Sequence, residues 1–436
     1  MQPACQHRRA LILSEAKQGV RRRAPGPFAV ELATGARDFF LKTLDSAFQF
    51  IKAEQFKILA HHLDQSGPAG APRLDRLIQH GRLSLCSIRP ILYLTHDAGE
   101  TQAKSALNMM TSEMNAVEVE GAKGPAAALR LVSRPRPSPG PGEILIRVRA
   151  AGVNHADLLQ RRGAYPPPPG ASDILGMEAA GEVAELGPGA PRWRVGDRVT
   201  ALMAGGGYAE YATVDARHAL PIPEGLDFVQ AASLPEAVFT VWSNVFEIGA
   251  LKYGETLLAH GATSGIGITA IQLAKILGAR VIATSRGEHK AARAKALGAD
   301  LSIDSTTQDW TEAVRAFGGA DVALDMVGGE QVGKDLSVMK PFGRVVMIAY
   351  LAGARGEIDF SAVLRRRLIL TGSTLRGRDA DEKARLAVAV EAKVWPLLES
   401  GAFKPVLAAV FPLAEAGRAH GLLERGDHVG KVVLAV

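Results

Sequence analysis

The residues with the clearest chemical use lie in His260-Gly-Ala-Thr-Ser-Gly-Ile-Gly267. An apolar run, Glu255-Thr-Leu-Leu-Ala259, precedes them; an amphipathic stretch over 268–278 and a second apolar run, Ala279-Arg-Val-Ile-Ala-Thr284, follow. Strand, glycine-rich turn, helix and strand make a βαβ unit of about thirty residues. Glycine permits the tight turn and lets a pyrophosphate approach bare backbone. The helix N-terminus then offers its free N–H groups and the positive end of its dipole. A glycine loop that merely links strand to helix is the alternative, but the strand and helix context favours a dinucleotide cradle. Gly261, Ala262, Ser264, Gly265 and Gly267 are its candidate contacts.

The end of the second strand bears on which dinucleotide. Sites for NAD place Asp or Glu there to hold the ribose diol, whereas this strand ends Thr284-Ser-Arg-Gly287 with no acid before Glu288. Ser285, Arg286 and Lys290 could instead meet a 2′-phosphate, which favours NADPH; any of them could equally be solvated surface. Asp325-Met-Val-Gly-Gly329 and Ile348-Ala-Tyr350 end two later strand candidates, where such sheets bind ligands, and Tyr350 is expected to face the nicotinamide. Arg376 and Arg378 are candidate contacts to cofactor or acceptor, or surface charge. Earlier in the chain, Asn154 and Asp157 have an Asn-x-x-Asp spacing that also suits a turn or a helix cap.

These residues need a frame. Helical stretches are expected over 226–234, 239–248 and 380–400, and strands over 300–303, 322–325, 343–348 and 368–371. Strands alternating with helices make a parallel, doubly wound sheet. From Met114, short strands broken at frequent Gly/Pro turns indicate a compact, mostly β domain of about 120 residues. The alternating strand Gly430-Lys-Val-Val-Leu434 is expected to return to it. The resulting division is an N-terminal extension over 1–113, a β domain over 114–236, a nucleotide domain over 237–371 and the return over 372–436.

The formal charge of +6 is unevenly placed: residues 1–113 carry 15 Lys+Arg against 10 Asp+Glu, the remainder 36 against 35. The near-neutral body gives no reason to expect a nucleic-acid partner. No run approaches the ~18 apolar residues of a membrane span, and the polar, basic start is unlike a secretory signal. Two cysteines, Cys5 and Cys86, cannot build a disulfide framework or a multi-cysteine zinc site. A cytoplasmic protein with no membrane partner is expected. Residues 1–113 hold no motif; an amphipathic helix is expected over 38–63, and translation is expected to begin near Met110 or Met114.

From Met114 to Val436 the chain resembles the medium-chain dehydrogenase/reductase superfamily. The stretch Ala151-Gly-Val-Asn-His-Ala-Asp157 through Tyr165-Pro-Pro-Pro-Pro-Gly170 to Ile174-Leu-Gly-Met-Glu-Ala-Ala-Gly181 is similar to the quinone oxidoreductases. Ser373-Thr-Leu-Arg-Gly-Arg-Asp379 and Val429-Gly-Lys-Val-Val-Leu434 resemble the p53-inducible and zeta-crystallin branch. The resemblance implies an α/β protein with a GroES-like β domain and a Rossmann doubly wound parallel sheet. It implies that Asn154 lies by the nicotinamide ribose, with Asp157 beside it as a second catalytic candidate, and that Thr240 lies near the cofactor. It further implies that Lys275 reaches the 2′-phosphate and that Tyr165 is the active-site tyrosine, its ring stacked on a quinone and its O–H donating to the carbonyl. A tyrosine packed on prolines is the plainer reading. Zinc members of the superfamily place Cys where Asn154 stands and His where Met177 stands; neither residue here is a usual Zn²⁺ ligand. Without that Lewis acid, alcohol oxidation is disfavoured, and zinc-independent reduction of a small-molecule quinone by NADPH is expected. A 2-alkenal or enoyl reductase and a non-catalytic NADPH-binding protein are the alternatives. A homodimer joined at the edge strand 368–371 is expected.

Overall fold

The structure is a computed structural model that describes residues 113–436. The expectations for residues 1–112, including the helix over 38–63, lie outside the described residues.

Two sheets organise these residues. Ahead of the first, β1 (Glu113–Val119) and β2 (Leu129–Pro135) form an antiparallel two-stranded sheet of their own. It is followed by β3 (Glu143–Val153), α1 (His155–Arg161), β4 (Glu178–Leu186), β5 (Arg198–Leu202), β6 (Tyr211–Asp215) and β7 (Ala219–Pro221). β3 is the hub, pairing antiparallel with both β4 and β6. Its polar alternation stops at residue 149, yet the strand continues through Ala150-Ala-Gly-Val153, all buried. Covering on both faces removes the alternation that marks a half-solvated strand.

A short α2 (Phe228–Ala231) and α3 (Pro235–Val241), continued by a π-type segment over Trp242–Ile248, lead into the second sheet. Its elements are β8 (Thr256–Ala259), α4 (Gly265–Ile276), β9 (Arg280–Ser285), α5 (Glu288–Ala296), β10 (Leu301–Asp304), α6 (Trp310–Phe317), β11 (Ala320–Asp325), α7 (Gln331–Val338), β12 (Met339–Met347), α8 (Phe360–Arg366) and β13 (Ile369–Gly372). All pairs are parallel and the order is β10-β9-β8-β11-β12-β13. Leu257, Leu258, Val281, Ile282, Ala323, Leu324, Val345 and Val346 are wholly inaccessible, as helices on both faces of a parallel sheet require. Strand order reverses between β8 and β11, so the carboxyl ends of these two strands open the crevice in which such sheets bind nucleotides.

The chain then runs through α9 (Ala380–Lys393), α10 (Trp395–Glu399), β14 (Leu407–Pro412), α11 (Ala416–Arg425) and β15 (Lys431–Ala435). β15 pairs antiparallel with β3 and parallel with β14, closing the first sheet. Past residue 372 the chain meets both sheets: Leu386, Val390, Val394, Trp395, Leu398 and Phe403 share one core with Leu257, Val281 and Val322 and with Leu202 and Leu220, and Trp395 Nε1 donates to the Pro221 carbonyl at 2.6 Å.

Candidate active site

The glycine turn is a cradle at the mouth of the crevice. Gly261 has φ +61°, and a Cβ on Gly267 would stand 2.4 Å from the Gly261 carbonyl oxygen and 2.7 Å from Ala262 Cα. Helix and strand meet there at a distance only glycine allows. Ser264 caps α4, its Oγ accepting from the Gly267 N–H at 3.0 Å. The N–H groups of Gly265 and Ile266, first in the helix, are among the donors that an α-helix leaves without an intrahelical acceptor. Ala262 differs from expectation: it is wholly buried and its N–H donates to the Thr284 carbonyl at 3.0 Å, so it shapes the turn without offering a donor. His260 is also buried, bridging Thr284 Oγ1 (2.7 Å) and Asp335 (2.8 Å) and so fixing the turn to β9 and α7.

At the end of β9 the structure gathers a basic pocket. Ser285 is buried and its Oγ has no hydrogen-bond partner, and the same holds for Nδ1 of His428 on the loop before β15. Arg286 and Lys290 stand against that loop: Lys290 Nζ donates to the Gly426 carbonyl, and the Arg286 guanidinium lies where a Cβ on Gly426 would point. Burial and then the charge of Arg286 lower the Lys290 pKa. Asp304, at the end of the neighbouring β10, is engaged by the N–H groups of Gly287 and Thr306 and by the Thr306 hydroxyl, while Asp427 acts on Lys290 and His428 from the loop before β15. Two orphaned polar atoms beside two cations suit the ribose phosphate of a nucleotide. Lys275 does not join them. It sits in the last turn of α4, about 15 Å along the helix from the glycine turn, with Nζ held by both oxygens of Asp300 at 2.9 Å. Its assignment to the 2′-phosphate is therefore corrected to a surface ion pair.

Between the two sheets lies a buried polar cluster. Asn154 Nδ2 donates to Glu178 Oε1 at 2.8 Å, and Lys431 Nζ donates to Asn154 Oδ1 at 2.6 Å and also pairs with Glu178. The Lys431 stem passes over the start of α4, where a Cβ on Gly265 would meet its Cδ at 2.3 Å. Glu178, wholly buried, also accepts from the Glu236 N–H at 2.9 Å, and a Cβ on Gly152 would strike its carboxylate. One carboxylate thus ties β3, β4, β15 and α3 together beside the glycine turn.

Asp157 is not in the cleft. Fully buried, it accepts from the N–H groups of Asn154 (2.8 Å) and Gly176 (3.1 Å) and from the Tyr208 hydroxyl (3.2 Å), which also meets His420. Burial pushes its pKa up to about 6 against those bonds. Its catalytic assignment is corrected to a positioning one: it caps α1 and fixes Asn154. Arg376 is likewise redirected. It is 5% exposed, and its guanidinium donates to the carbonyls of Ala204 (2.7 Å) and Tyr165 (3.3 Å) and to Gln160 Oε1 (2.8 Å), so each of its three nitrogens is engaged by the protein. Its plane stands 5.4 Å from the Tyr165 ring and so anchors the proline loop. Arg378 holds Ser373 and Glu382 on its own segment.

Tyr165 is half-buried; burial and then the charge of Glu236 raise its phenol pKa, and Tyr350 lies within electrostatic range of it. Tyr350 itself is 61% exposed, its backbone packed on Gly328. Thr240 is buried on α3, its carbonyl accepting from Asn244, whose Oδ1 accepts from Ser373. Reasoning from sequence missed Glu178, Glu236 and Lys431. A signal existed: Lys431 and Glu178 each stand at the head of a run of apolar residues, and charges in such strands are rarely buried unless paired.

Among the described residues no three His, Cys, Asp or Glu come together as a metal site, and no helix is long and apolar enough to cross a membrane. Residues 140–224 match the model of the alcohol dehydrogenase GroES-like domain, and residues 265–390 that of the zinc-binding dehydrogenases. The human quinone oxidoreductase is 29% identical over 67% of this chain and 88% of its own. A solved NAD-dependent alcohol dehydrogenase is 32% identical, covering 74% of this chain and all of its own, with a TM-score of 0.65. A mycobacterial protein solved with NADPH is 31% identical with the same coverage and a TM-score of 0.67. A polyketide synthase of Streptomyces halstedii is 35% identical over 67% of this chain, but the chain spans only 5% of that protein. The chain belongs to the medium-chain dehydrogenase/reductase superfamily, in its quinone oxidoreductase branch.

Proposed function

We propose that this oxidoreductase uses NADPH to reduce a quinone bound between Tyr165 and the nucleotide crevice, without a catalytic zinc ion. The observation that carries the cofactor choice is the basic pocket ending β9, where Ser285 Oγ lacks a partner and Arg286 and Lys290 converge. Gly265, Ile266 and Ser264 would hold the pyrophosphate; Asn154 and Thr240 would border the nicotinamide ribose. Bound NADPH supplies the reducing equivalents. The protein's own residues orient and protect. Asn154 is held by Glu178 and Lys431, Tyr165 is held by Arg376, and the phenol, kept protonated by burial, donates to an acceptor oxygen. Asn154 and Met177 stand where zinc members carry Cys and His ligands, and neither is a usual Zn²⁺ ligand.

A second reading, reduction of a 2-alkenal or enoyl thioester, draws on the likeness to the polyketide synthase. Parallel assays of NADPH oxidation with ortho- and para-quinones and with 2-alkenals separate the two: faster turnover of quinones, diminished in Tyr165→Phe, supports the first, and turnover of alkenals alone refutes it. Arg286→Ala combined with Lys290→Ala should weaken NADPH about 10- to 100-fold, as expected for loss of charge-assisted phosphate contacts, and leave NADH unchanged. Equal losses for both nucleotides would remove the case for NADPH. The edge strand β13, with Ile369 and Leu370 partly exposed, is the proposed surface of a homodimer, and a cytoplasmic location accompanies this reading.

A further inference from the structure

Glu236 is a cleft carboxyl without a protein partner. Pro235 and Glu236 open α3, and the Glu236 backbone N–H is fixed to Glu178 at 2.9 Å. Its carboxyl makes no hydrogen bond with any described residue and is not fully enclosed. Charged and titratable groups from every surrounding element act on it: Glu178 on β4, Lys431 on β15, Asp157 on α1, Tyr165 on the proline loop, Arg376 after β13 and Lys383 on α9. Glu178 already neutralises Lys431, and Arg376 and Lys383 are bonded to carbonyl groups. No cation therefore pairs with Glu236 directly, while two uncommitted cationic charges stand near enough to stabilise it once ionised.

From this geometry we propose that Glu236 is the proton donor of the cleft, delivering its carboxyl proton to the acceptor oxygen as the acceptor is reduced beside Tyr165. The inference rests on the reading of the site as a two-electron reductase. Bound NADPH would supply two electrons and one hydrogen to the acceptor, which would then carry an oxygen anion. The Glu236 O–H bond breaks, an O–H bond forms on that oxygen, and the carboxylate regains a proton from water at the cleft mouth. Tyr165 orients the oxygen and keeps its own proton. Burial and the neighbouring charge of Glu178 push the Glu236 pKa up to about 8, so the proton is present at neutral pH.

The test has two independent readouts. Difference infrared spectra of wild type against Glu236→Gln, without nucleotide, should show a protonated-carboxyl band that persists at pH 7 and fades through about pH 8. A band lost by pH 6 overturns the proposal whatever the enzyme reduces. In turnover, quinone reduction by wild type should fall above about pH 8. Glu236→Gln should bind NADPH with unchanged affinity by fluorescence, lose roughly 100-fold in kcat and lose that falling limb. Glu236→Asp should retain a titrating limb. A Glu236→Gln enzyme that binds NADPH and keeps the wild-type rate and pH profile overturns the donor role. Failure of wild type to bind NADPH instead defeats the underlying reading, and the infrared band reports on Glu236 separately.

Discussion

Lys431→Met probes the joint between the two sheets. Glu178 is inaccessible, and its compensating charge is Lys431, whose side chain is 8% exposed. Methionine keeps most of the stem over Gly265 and removes only the ammonium. Asn154 and the Glu236 N–H remain as donors to the carboxylate, but no charge balances it. Stranding one member of a buried pair costs about 3–5 kcal/mol, which for a fold of this size lowers Tm by roughly 4–7 °C. Adding Glu178→Gln should restore most of the loss. The assay is thermal and urea unfolding of both variants between pH 5 and 8. A single variant that melts within a degree of wild type, or a double variant no better than the single, would refute the claim that this pair is electrostatically coupled.

Two further outcomes follow from the geometry. Gly267→Ala should weaken nucleotide binding at least tenfold in a fluorescence titration, because its Cβ meets the Gly261 carbonyl at 2.4 Å and rigid backbone must move; Gly265→Ala, whose Cβ meets only the flexible Lys431 stem, should lose less. Lys275→Ala should leave NADPH affinity unchanged and cost no more than about 1 kcal/mol, since its pair with Asp300 is one-third exposed; a selective loss of NADPH affinity would reinstate it as a phosphate contact.

The local chain determined much of this protein. The spacing of Gly261, Gly265 and Gly267 between an apolar strand and an amphipathic helix encodes its own turn, because each requirement is met within a few residues. The same is true of the missing acid after Thr284 and of the alternating β strands. What the sequence could not determine was which charges meet across the fold. Lys275, read as a phosphate ligand, lies on the far turn of α4, where Asp300 is nearer. Asp157 faces Gly176 and Tyr208 instead of the cleft, and Arg376 is enclosed by the carbonyls of Ala204 and Tyr165. Lys431 lies 277 residues from the Asn154 it contacts, and no spacing rule spans that interval. The pairing of β15 with β3 brings it there, and a lysine or glutamate in a buried strand acquires its meaning only from the partner that tertiary packing supplies.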